Sequence, residues 1–144
     1  MFEMDKRLTQ DTVVLGDLAL CRVLLMNDSR YPWLILVPRC AAASEVFDLT
    51  AEQQQQLWQE ASLLGQVLKG LYQADKINIA SLGNVVSQLH VHVVVRMQSD
   101  QAWPAPVWGR GEAQPYLAED IAQLSVRLRT TLIEYGLVAV EEGV

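Results

Sequence analysis

Apolar and polar positions in this chain repeat with two periods, one of a strand and one of a helix. Residues 88–96, Gln88-Leu89-His90-Val91-His92-Val93-Val94-Val95-Arg96, alternate faces as a strand does. Leu89, Val91, Val93 and Val95 make a wholly apolar row, and Gln88, His90, His92 and Val94 point the other way. Residues 12–15 and 18–26 are predicted as two further strands around a turn at Gly16-Asp17. After Tyr31-Pro32, residues 33–37 form a buried strand closed by Pro38, and residues 76–81 form another before a turn at Gly83-Asn84. A long helix is expected over 50–74, where Thr50 and Gln53 match a capping box and Glu52 suits the helix dipole. Its stripe is Leu57, Ala61, Leu64, Leu68 and Leu71, with Gly65 and Gly70 placed to allow close approach to a sheet. A second helix is expected from Pro115 to Tyr135, with a stripe of Leu117, Ile121, Leu124, Leu128 and Leu132 and a stop at Gly136.

Residues 97–115 break both periods. Trp103, Pro104, Pro106, Trp108, Gly109, Gly111 and Pro115 crowd into one irregular segment, and two tryptophans imply that it packs on something. Short neighbouring strands with helices between groups of them predict an α+β fold, an antiparallel sheet with helices on one face. At 144 residues, half of them hydrophobic (51%), the chain is expected to be a single domain over 1–144.

Charge narrows the functions. With 17 acidic and 11 basic residues the formal charge is -6, which disfavours nucleic acid and anionic membrane as partners. Cys21 and Cys40 are too few for a disulfide scaffold and lack any CxxC spacing, and the first residues lack the apolar core of a signal peptide. A cytoplasmic protein is the expectation.

The chemistry concentrates at His90 and His92, the only histidines. Two imidazoles on one strand face could offer ligands to zinc or iron, but no carboxylate stands at a suggestive spacing to complete such a site. The alternative is attack on phosphorus, since a neutral imidazole is a good nucleophile and its phosphoryl adduct is labile. Arg96, at the strand end, is either a partner on the histidine face or a solvated charge.

Residues 83–94, Gly83-Asn84-Val85-Val86-Ser87-Gln88-Leu89-His90-Val91-His92-Val93-Val94, resemble the signature of the histidine triad (HIT) superfamily of nucleotide hydrolases and transferases, His-φ-His-φ-His-φ-φ with φ apolar. Here the motif is QxHxH. Leu25-Met26-Asn27-Asp28 and Leu34-Ile35-Leu36-Val37-Pro38 are similar to the superfamily's early strands. The resemblance implies a HIT-like α+β fold, a homodimer and a nucleotide substrate. It places His90 at the covalent nucleophile toward an α-phosphate and His92 at the third histidine, binding phosphate and helping proton transfer. Gln88 and Asn84 would give neutral hydrogen bonds, and Asn27 would touch ribose. Two departures are Trp33, where many members have histidine, and Val85, where some have serine. No metal is needed for covalent attack, although magnesium could accompany a polyphosphate. The expected reaction is hydrolysis or nucleotidyl transfer at a phosphoanhydride or phosphoramidate bond, of diadenosine polyphosphate or nucleoside phosphoramidate type. The alternative is a nucleotide-binding module with weak or no turnover. If Gln88 is merely a weakened triad position, Gln88→His should raise the rate modestly.

Overall fold

The computed structural model describes residues 1–140. Five strands form one antiparallel sheet: β1 (Thr12–Asp17), β2 (Cys21–Met26), β3 (Trp33–Pro38), β4 (Lys76–Ala80) and β5 (Val91–Arg96), in the order β1-β2-β3-β5-β4. The helices are α1 (Lys6–Asp11), α2 (Ala51–Tyr72) and α3 (Ala118–Ile133). The chain leaves β3 through α2, lays down the edge strand β4, and returns through β5 between β4 and β3. Every residue of β3 and of β5 is buried, because both sheet faces are covered.

One face carries the larger core. Leu57, Ala61, Leu64 and Leu68 of α2, Leu128 and Leu132 of α3, and Val91, Val93 and Val95 of β5 share this cluster, with α2 lying against β4 and β5 and α3 against β1. The Thr50–Gln53 capping box forms as expected, each side chain bonding the other's backbone. Gly65 does lie against the sheet, since a Cβ there would sit 3.4 Å from Ile77, whereas Gly70 faces open space. Glu60 is buried and accepts from the backbone of Leu20 and Cys21, which ties α2 to the β1–β2 connection. The opposite face holds a smaller core of Leu24, Trp33, Ile35, Val94 and Val107, closed by Leu8 of α1, by Phe2 and Met4, and by Trp108. Helices thus cover one face, and mostly irregular chain covers the other.

Several element boundaries differ from expectation, and one short helix is unexpected. Gly16 lies inside β1, at a register shift, and the turn falls later, between Asp17 and Cys21. The glycine serves close approach, because a Cβ there would stand 2.5 Å from the Val138 carbonyl oxygen. The third helix begins at Ala118, with Leu117 as its cap and 67% exposed, so Pro115 precedes the helix and Leu117 is outside its buried stripe. Helix α1 has a single buried residue, Leu8, and so leaves no periodic trace in the sequence. Asp5 caps it through the Arg7 amide.

The two sheet edges are unlike. On β1, Arg129 donates to the Leu15 and Val14 carbonyls, and Asp17 exchanges two backbone bonds with Val138. β4 pairs with β5 alone, and Ile79, Leu82 and Val85 are exposed on and beyond it. Among the described residues no helix is long and apolar enough to cross a membrane.

Candidate functional site

The alternation expected for residues 88–96 survives although the strand starts only at Val91. Leu89 enters the larger core and its amide donates to the Ala43 carbonyl, which fixes the approach to the strand. His90 and His92 therefore emerge on the opposite face, with ring centroids 4.9 Å apart and planes at 75°. Both are buried, 6% and 8% exposed.

Their hydrogen bonds assign opposite tautomers. His90 Nδ1 lies 2.7 Å from the Gln88 carbonyl oxygen. A carbonyl only accepts, so Nδ1 carries the proton and a neutral His90 presents a lone pair on Nε2. His92 Nδ1 lies 3.0 Å from the indole N–H of Trp33. An indole N–H only donates, so His92 keeps its lone pair on Nδ1 and its proton on Nε2. Burial, and then the neighbouring His90, push the His92 pKa down to about 3. His92 is thus a neutral donor at ordinary pH. That departs from the proton-transfer role expected of it, because Nδ1 is already engaged by a donor and the ring does not titrate in the neutral range.

Aromatic rings enclose His92. Trp33 stands edge-on at 5.6 Å and Trp108 at 5.3 Å, and the two indoles are 5.9 Å apart. The irregular segment at 97–115 thus packs on the site, as its tryptophans implied. Arg96 anchors it. Only 2% exposed, Arg96 donates to Asp100 through Nε and Nη2, to Asn78 Oδ1 and to the Ala105 carbonyl. Its guanidinium also lies over the rings of Tyr31 and Trp103. The reading of Arg96 as a solvated strand-end charge is corrected: it is a buried loop anchor. Burial raises the Asp100 pKa, but Arg96 and the amides of Met97, Trp103 and Ala102 outweigh this and bring it down to about 2.

Gln88 differs most from expectation. It precedes β5, and its side-chain amide is held at both ends by the N-terminal segment. Oε1 accepts from the Asp5 amide and Nε2 donates to the Glu3 carbonyl, both at 2.8 Å. The side chain staples the N-terminus, while the backbone carbonyl orients His90. A polar cleft of about 440 Å³ opens beside it, lined by Glu3, Asp5, Lys6, Ser44 and Ser87.

The two candidate binding asparagines, Asn27 and Asn84, lie in different connections. Asn27 follows β2, and its Oδ1 accepts from the Tyr116 amide, which fastens the end of the irregular segment. Asp28 and Arg30 do the same through the Gln114 amide and the Arg110 carbonyl. Asn84 is exposed in the loop between β4 and β5, and its side chain makes no hydrogen bond among the described residues. Among the described residues no three His, Cys, Asp or Glu side chains come together as a metal site.

Sequence reasoning noted Trp33 only as a departure and Trp108 only as a packing residue. Alternation alone could not find them, because it is the register, Ile35 opposite His92 and Trp33 opposite Val94, that puts Trp33 on the histidine face.

Known proteins share this fold. The HIT domain matches residues 7–99. A histidine triad protein from Sinorhizobium meliloti 1021 has 47% identity and a TM-score of 0.87, covering 92% of this chain and 98% of its own. One from Marinobacter aquaeolei VT8 has 47% identity and a TM-score of 0.89, covering 93% and 98%. The diadenosine triphosphate hydrolase of Plasmodium falciparum shares the fold at 16% identity and a TM-score of 0.65, covering 93% and 82%. No curated protein matches the chain. A five-stranded antiparallel sheet with two histidines side by side, a domain match over most of the chain and near-full-length relatives lead to one conclusion: the chain belongs to the histidine triad family, which includes nucleotide hydrolases and transferases.

Proposed function

We propose that this protein cleaves a phosphoanhydride or phosphoramidate bond of a nucleotide, by hydrolysis or nucleotidyl transfer, through a covalent nucleotidyl-histidine at His90. The observation that carries this is the bond from His90 Nδ1 to the Gln88 carbonyl, which leaves Nε2 as a free lone pair. In the first step Nε2 attacks the α-phosphorus and the bond to the leaving group breaks, the leaving group departing with the electron pair and taking a proton from solvent. The Gln88 carbonyl stabilises the positive ring that results. Water or another acceptor then displaces the imidazole from phosphorus, its proton passing to solvent, and restores neutral His90 with its proton on Nδ1. His92 donates from Nε2 to a phosphoryl oxygen throughout. Asn84 is free to hydrogen-bond the substrate. The Asn27 oxygen accepts from the Tyr116 amide, so its Nδ2 group is the one turned to a ribose hydroxyl in this reading.

Magnesium in this reading arrives on the polyphosphate and is not needed for attack. The open edge of β4 supports a homodimer, and the two free thiols suit a reducing, cytoplasmic setting. A second reading, a nucleotide-binding module with little turnover, is favoured by Gln88, which carries no titratable proton. Mass spectrometry of the protein after incubation with diadenosine polyphosphates and adenosine phosphoramidate separates the two. A nucleotidyl mass shift is expected, with or without a chelator, and it should be lost in His90→Ala while nucleotide binding persists. Binding without any adduct or product would leave only the second reading, and an adduct on intact protein that needs a divalent ion would overturn the metal-free step.

A further inference from the structure

We propose that Trp33 is a positioning residue, whose indole N–H holds His92 in the tautomer that carries its proton on Nε2. The inference rests on the proposed phosphoryl chemistry for its purpose, but not for its geometry. Trp33 and His92 stand diagonally on adjacent strands, β3 and β5, and the indole N–H reaches His92 Nδ1 at 3.0 Å. Both residues are buried, so water does not compete freely for that nitrogen. A free imidazole exchanges between two neutral tautomers and a doubly protonated form. The Trp33 donor opposes two of these three states, because both place a proton on Nδ1, facing the indole N–H. The state that remains offers a fixed N–H donor beside the lone pair of His90.

Little else faces His92 with a proton to exchange. From β3 it meets Trp33 and Ile35, from β4 its partner Ala80, and from the irregular segment Trp108. His90, at 4.9 Å, is the titratable neighbour, and a positive charge there disfavours one on His92. Trp108 meets both rings edge-on, which leaves the Trp33–His92 pair little room to turn. The indole thus replaces the orienting role that a carboxylate or carbonyl gives most histidines, with the opposite sense, since it donates where those groups accept.

The protein's two histidines make the test direct. Long-range proton–nitrogen correlation on ¹⁵N-labelled protein shows two ring patterns, which a His90→Asn spectrum assigns. Expected for the wild type is a His92 protonated on Nε2 and unchanged between pH 5 and 8. A His92 proton on Nδ1, or a titration near pH 6.5, overturns the proposal with no variant needed. Trp33→Phe keeps a ring and removes the N–H, so His92 should become a mixture of tautomers while burial and His90 keep it neutral. Nucleotide turnover should then fall roughly 10- to 100-fold in kcat with a smaller change in KM. If Trp33→Phe folds and leaves the tautomer unchanged, Trp33 only packs. If no nucleotide is turned over by the wild type, the enzymatic reading fails while the ring spectra still decide the tautomer.

Discussion

Replacing Gln88 tests whether this position is a degraded triad member or a staple. The amide makes two bonds of 2.8 Å to the N-terminal backbone, one part-buried at Asp5 and one exposed at Glu3. A typical bond of this kind contributes about 0.5–1.5 kcal/mol net, and the exposed one should lie near the lower bound. Gln88→Ala should therefore cost roughly 1–2 kcal/mol, or a melting temperature lower by about 2–8 °C in a domain of this size. Gln88→His keeps one donor and one acceptor, but on opposite sides of a rigid, shorter ring, so it should retain at most one bond and lose about half as much. Urea titration at pH 7 gives the stability, and amide exchange at Asp5 shows whether the segment has been released. Because the side chain engages residues 3–5, histidine there should give no rate gain, in contrast to the modest gain expected of a weakened triad. An unchanged stability and protected Asp5 amide in Gln88→Ala would refute the staple. A faster, equally stable Gln88→His protein would return the position to the triad.

His92→Ala should slow turnover by roughly 10²–10³, the usual cost of losing one fixed donor to a developing oxyanion, measured as kcat/KM on whichever nucleotide is cleaved. The same residue shapes stability against pH: its folded pKa of about 3 lies below its ordinary value of 6.5, so the unfolded chain binds the extra proton between them. Stability should fall as pH drops below about 6.5, by up to about 1.4 kcal/mol per unit, and His92→Asn should flatten that slope in pH-dependent urea titrations. Asp100 acts at lower pH. Its folded pKa of about 2 lies below the ordinary 3.8, so its contribution is complete above about pH 4 and is lost as pH falls toward 2. That contribution is roughly 2 kcal/mol, and an Asp100→Asn protein with the same acid limb as the wild type would remove it from the account.

What the sequence reveals follows the range of the interaction. Strands β3 and β5, the start of α2 and the segregation of Leu89 from His90 all arise from neighbours within a few residues, where alternation and capping act. The features that stayed hidden depend on distant chain. The partners of Gln88 lie 83 and 85 residues away, so no local pattern distinguishes a staple from a site amide. Gly16 marks a turn by its local propensity, but the Val138 carbonyl that demands it belongs to the far end of the chain. Arg96 reads as solvated because strand-end arginines usually are, until the loop that follows it supplies Asp100 and Trp103 and the approach to β3 supplies Tyr31. Leu8 alone is too little apolar signal for α1, although it packs in the core that flanks the histidines.

The contrast between the two sheet edges limits how copies of this chain can associate. The carbonyls of β1 at Val14 and Leu15 are occupied by Arg129, and Asp17 is bonded to Val138, so a new strand finds few free partners there. Pairing through β4 is open, and the homodimer proposed above would use it about a two-fold axis. Such a contact is self-complementary, and it consumes the same edge on both copies. The joined sheet would run to ten strands with a guarded β1 at each end, so the geometry permits closure at two copies and opposes growth into a fibre.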